Sequence, residues 1–80
     1  MKINRQLFED VLSGKLKGTF VLRGGDIYSS ADLCRNDKRY KFTHPYIIDY
    51  GAYTPEGIFF LDDITSELDI IDFIPNTEQI

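Results

Sequence analysis

Thr19-Phe20-Val21-Leu22-Arg23-Gly24-Gly25-Asp26, residues 19–26, set the architecture expected of this chain. After Gly18 the hydrophobic period is two, with Phe20 and Leu22 on one side and Thr19, Val21 and Arg23 on the other, which predicts a strand. Gly24-Gly25 then supplies a turn that needs positive φ at both residues. Asp26 to Cys34 reads as the return strand, carrying Ile27, Ala31 and Leu33 on one face. Ser29, Ser30 and Asp32 break its alternation, so a bulge or an early end is expected there.

Upstream of the hairpin the period changes. Ile3, Leu7, Phe8, Val11 and Leu12 form one stripe at helical spacing and predict a short helix over residues 3–13, docked through Leu7, Phe8, Val11 and Leu12. Asn4 stands where an N-cap belongs, Ile3 and Phe8 at the spacing of a hydrophobic staple, and Gly14 where a left-handed residue ends a helix.

Downstream, Arg35 to Arg39 is a charged turn, and Tyr40 to Tyr50 an extended segment that Pro45 confines to an edge or a bend. Tyr53-Thr54-Pro55-Glu56-Gly57 is a tight turn with Gly57 at positive φ. Ile58-Phe59-Phe60-Leu61 leaves it as a strand buried on both faces. In the segment from Leu68 to Pro75, alternation favours a strand, and a helical turn starting at Thr65 or Ser66 is the alternative. The fold class expected is α+β, mostly β: an N-terminal helix followed by a five-stranded antiparallel meander. It would close as an SH3-like small barrel or remain a curled sheet. Residues 1–75 form one small domain in this reading, and 76–80 a loose tail.

Composition narrows the functions. All nine Lys and Arg lie at or before Lys41, where they face five acids, a net of +4. Residues 42–80 carry eight acids and no cation, a net of −8. The split is a signal about association rather than chemistry. A pI near 4.7 disfavours nucleic acid as a partner unless a local basic patch provides for it. No run approaches the roughly 20 apolar residues of a membrane span, and the N-terminus lacks the apolar core of a signal peptide. The single Cys34 excludes an intrachain disulfide and a cysteine-based zinc site, and fits a reducing, cytoplasmic setting.

Further residue patterns point to a family likeness. They are Ser13-Gly14-Lys15, Val21-Leu22-Arg23-Gly24-Gly25, His44-Pro45-Tyr46-Ile47, the turn and strand from Tyr53 to Phe60, and Ser66-Glu67-Leu68-Asp69-Ile70. In these the chain resembles a group of short proteins of gut Bacteroidetes and their mobile elements that have no assigned activity. It departs from that group in the doubled Gly24-Gly25 and in the long segment from Tyr28 to Cys34. The resemblance implies a fold of this kind and no function.

Four constellations could carry chemistry. Asp62, Asp63, Glu67, Asp69 and Asp72 form an acidic cluster that lacks the spacing of a calcium loop, and it reads as a solvated edge. His44, with Ser29 or Ser30 and Asp49, could be nominated as a triad, but no motif frames either serine. Arg35, Lys38, Arg39 and Lys41 interleave with Tyr40 and Phe42, the ingredients of single-strand binding. Tyr46, Tyr50 and Tyr53 cluster as an exposed aromatic patch would. The expectation is a non-enzymatic interaction module with no cofactor and no metal. Its surface would comprise Tyr46, Tyr50, Tyr53, Arg35, Lys38 and Arg39, and its partner would be a protein or a second copy. RNA or single-stranded DNA binding through Arg35–Lys41 is the alternative.

Overall fold

A computed structural model describes residues 1–49, 51–59 and 65–76. Helix α1 spans Arg5–Leu12 and begins as its sequence predicts, with the Asn4 side chain accepting the Leu7 N–H at 2.9 Å. It ends in a Schellman motif: Lys15 N–H donates to Asp10 O and Gly14 N–H to Val11 O, with Gly14 at φ 85. Leu7, Phe8 and Val11 are buried, and Leu12 packs against the same core from a half-buried position.

The strands are β1 (Gly18–Leu22), β2 (Ile27–Ser29), β3 (Leu33–Arg35), β4 (Tyr46–Ile48), β5 (Gly51–Tyr53) and β6 (Ile70–Pro75). They form two antiparallel three-stranded sheets, ordered β2-β1-β6 and β3-β4-β5. The expected single meander of five strands is therefore corrected to six strands in two sheets among the described residues. The first cause lies at the polar interruption seen in the sequence. Ser29, whose hydroxyl accepts the Ala31 N–H, caps a 3₁₀ turn over Ser30–Asp32. That turn divides the expected return strand into β2 and β3, one in each sheet.

The second difference lies between Tyr40 and Tyr53. Residues 39–43 are turns, and the extended segment shortens to β4. The chain then returns as β5, antiparallel to β4, with Asp49 at φ 58. Ile58 and Phe59 lie in no strand, while Phe60 and Leu61, the rest of the strand expected there, lie outside the described residues. The turn before them forms as read: Gly57 N–H donates to Thr54 O at 2.8 Å and Gly57 has φ 81, whereas in the Gly24-Gly25 turn only Gly25 takes positive φ, at 97, with its N–H donating to Leu22 O at 2.9 Å. The last element is a strand, not a helical turn. Asn76, expected to open a loose tail, donates its N–H to Lys17 O at 2.9 Å; residues 77–80 lie outside the described residues.

Phe8 ties the layers together. Its ring stacks on Phe20 of the first sheet at 5.6 Å and on Tyr46 of the second at 4.4 Å, and Phe20 in turn meets Phe73 edge-on at 4.9 Å. One helical residue therefore touches both sheets, and aromatic area supplies much of a core that so short a chain could not otherwise build.

Candidate functional site

The loop between β3 and β4 is organised from its first residue. Asn36 is buried, and its amide donates to Arg39 O at 2.7 Å and His44 O at 2.9 Å while its oxygen accepts the Lys38 N–H at 2.9 Å. Asn36 N–H also donates to Pro45 O at 2.8 Å, closing the loop at its base. Within it, Tyr40 O accepts N–H groups from Thr43 and His44, and Tyr40 itself sits at φ 60. A bulky residue at positive φ persists only where its surroundings determine it.

His44 anchors the far side. Its Nε2 is 3.0 Å from Phe59 O, which can only accept, so Nε2 carries the proton; Nδ1 stands 2.9 Å from the Thr43 hydroxyl. The nominated triad is not assembled. The Ser30 hydroxyl accepts the Gly18 N–H, Ser29 caps the 3₁₀ turn, and neither meets His44.

What this scaffold displays is aromatic and basic. Tyr40 is 70% exposed and Phe42 91% exposed, and the Lys41 ammonium lies 5.4 Å from the Phe42 ring centroid. Lys38 and Arg39 are exposed and make no ion pair among the described residues, and Asp37 is the one acid between them and Asn36.

The other expected surface residues fall elsewhere. Tyr46 and Tyr53 are 0% and 1% exposed, so they belong to the core and not to an aromatic patch. They are direct partners across the β4–β5 pair, and directly opposed residues share a face of the sheet, here the inner one. Tyr50 lies outside the described residues. Arg35 is committed to Glu9, donating from both terminal nitrogens at 3.0 and 2.5 Å. The Tyr46 hydroxyl donates to the same carboxylate at 2.7 Å. Arg35 foremost, and then Tyr46, hold Glu9 well below the usual range, at about 2. Burial, reinforced by Glu9, pushes the Tyr46 phenol up to about 12. This trio fastens α1 to β3 and β4.

Of the acidic cluster, Asp69 and Asp72 are drawn into structure while Glu67 is exposed, as a solvated edge would have it. Asp69 is buried and accepts the N–H groups of Phe59 and Ser66 at 2.8 and 3.1 Å, with Arg23 3.6 Å away. Asp72 accepts from the Met1 amine at 2.8 Å, and Asp62 and Asp63 lie outside the described residues. Among the described residues no group of three His, Cys, Asp or Glu is placed to hold a metal ion. No helix among them is long and apolar enough to cross a membrane.

Reading the sequence alone misses Asn36 as the organiser of the loop. Its signal was present in a short polar residue followed by Asp-Lys-Arg, the composition in which a side-chain amide replaces a backbone turn partner. No protein-family model, curated protein or solved structure matches the chain.

Proposed function

We propose that this chain is a small non-catalytic binding module that engages an acidic protein surface through the loop of residues 37–43. The observation that carries the reading is the exposure of Tyr40 and Phe42 on a loop held from within by Asn36. Exposed aromatics are the side chains from which interface anchors are made, and a locked loop loses little entropy on docking. Lys38, Arg39 and Lys41 around them favour a partner of opposite charge. A second copy qualifies, because residues 42–80 carry a net of −8. The strand succession from β6 through β1, β2, β3 and β4 to β5 supports treating the two sheets as one curled wall. In this reading the wall is an SH3-like small barrel with the loop at its rim.

Nucleic acid is the second reading, favoured by cations interleaved with exposed rings. It ranks lower because Lys41 already lies over Phe42 and the whole chain carries a net charge of −4. The test compares the native chain with Tyr40→Ser/Phe42→Ser, both changes being at exposed positions. Crosslinking in a lysate with mass-spectrometric identification is run beside sedimentation at roughly 50 and 500 mM salt. An acidic partner or a salt-sensitive dimer, lost in the variant, is the expected result. A partner retained by the variant refutes the loop as the contact. Saturable, salt-sensitive binding of a labelled oligonucleotide that is abolished by Arg39→Glu would transfer the function to the second reading.

A further inference from the structure

A second feature lies away from that loop. A cavity of about 270 Å³ is lined by Tyr28 of β2, Asp49 and Gly51 of the β4–β5 hairpin, Tyr53, Phe59 and Leu68. Tyr28 is opposite Phe20 across the β1–β2 pair and so faces inward with it. Tyr53 is buried and forms the floor, and Phe59 packs edge-on against its ring with centroids 5.8 Å apart and planes inclined at 63°. Gly51 lets these rings close in: a Cβ there would come within 3.1 Å of the Tyr53 ring and 3.3 Å of Phe59.

Three aromatic residues thus line one small space, and an exposed carboxylate stands with them. Asp49 makes no hydrogen bond or ion pair among the described residues, and Arg23, Arg35 and the Met1 amine are taken by Asp69, Glu9 and Asp72. Its backbone is left-handed at φ 58, a conformation that Asp tolerates, so the turn sets the direction in which the side chain leaves the chain. The volume falls below the roughly 300–1,000 Å³ of pockets for drug-sized ligands and suits a single headgroup.

Aromatic faces attract cations through their quadrupole, and a weakly hydrated, alkylated ammonium gives up the least solvation on entering such a space. A bare ammonium would keep its water, and an anion would meet Asp49. We propose that this cavity is a binding site for an alkylated ammonium group, with the rings of Tyr28 and Phe59 as its walls, the buried Tyr53 as its floor and Asp49 as its counter-charge. Choline is a simple molecule that carries such a group.

The experiment titrates the native chain with choline and, separately, with its neutral isostere 3,3-dimethylbutanol, following the amide shift of Gly51 and the ring shifts of Tyr28. Saturable binding of choline, about tenfold tighter than the isostere, is expected. Asp49→Asn keeps a residue that tolerates positive φ and should bring the two affinities together, and Tyr28→Leu should do the same by removing a ring. Equal binding of cation and isostere to the native chain overturns the proposal, as does the absence of saturation up to roughly 100 mM choline, a concentration at which binding energy is negligible. A trimethyllysine peptide and phosphatidylcholine vesicles, run with the unmodified peptide and phosphatidylglycerol vesicles as controls, then identify the carrier. Rejection of both carriers by a chain that binds choline limits the site to a free small cation, an outcome that upholds the chemistry proposed.

Discussion

Gly57→Ala should cost more than a backbone preference alone. Gly57 has φ 81, and adopting the left-handed region costs a non-glycine residue about 1–2 kcal/mol. A Cβ there would also stand 2.8 Å from Ile3 Cγ2, 2.9 Å from Ile70 O and 3.1 Å from Ile70 Cβ. The Ile3 side chain can rotate away. Ile70 cannot, because its N–H donates to Gly57 O at 2.8 Å and its strand is paired with β1. Overpacking against fixed backbone adds about 1–3 kcal/mol. Together these reach about 2–5 kcal/mol, a large part of the roughly 4–12 kcal/mol available to a chain of 80 residues. Gly14→Ala separates the two contributions. Gly14 has φ 85, but a Cβ there would find no atom within 4 Å, so only the conformational cost of about 1–2 kcal/mol applies. The chain has no Trp, so urea unfolding is followed by far-ultraviolet circular dichroism. Gly57→Ala should therefore unfold at lower urea than Gly14→Ala, by about 1–3 kcal/mol at equal slope. Coincident midpoints would refute it.

Phe8→Ala removes the ring that stacks on both Phe20 and Tyr46, and should destabilise by about 3–5 kcal/mol; an unchanged melting temperature would show that α1 is not docked this way. Asn36→Ala leaves the carbonyls of Arg39 and His44 without their donor, and should cost about 1–3 kcal/mol while speeding amide exchange at Lys38. Retained protection at Lys38 would mean that the loop is held by something else. Glu9 is depressed from 4.5 to about 2, so its contribution is complete above the higher value and is lost as pH falls through the lower one, where the folded carboxylate finally takes up a proton. The melting temperature of Glu9→Gln should therefore lie below that of the native chain near neutrality, the difference shrinking as pH approaches 2. Because Arg35 is largely in solvent, the difference should also shrink in salt, and a difference independent of pH would contradict the assignment.

Local chemistry determined what was legible in the sequence. Asn4 and Gly14 bound α1 because a cap and a left-handed residue act on neighbours within one turn of chain. Thr54-Pro55-Glu56-Gly57 closes its turn for the same reason. The interruption at Ser29, Ser30 and Asp32 announced a break in the return strand, though not that the break would carry the chain from one sheet to the other.

The site was less legible. Tyr40, Phe42, Tyr46 and Tyr53 are all large rings in short segments, and nothing local separates the two that are exposed from the two that are buried. That separation comes from the β4–β5 pairing, which turns Tyr46 and Tyr53 inward onto Phe8 and Phe59, and from Asn36 and His44, which hold residues 37–43 outside the core. Pairing register and long-range hydrogen bonds depend on residues far apart in sequence. The sequence by itself therefore determined the helix, the turns and the β-rich class, all products of short-range sterics and capping. Only the tertiary structure decided which aromatics form the core and which face a partner, because burial is settled by what the rest of the chain brings alongside.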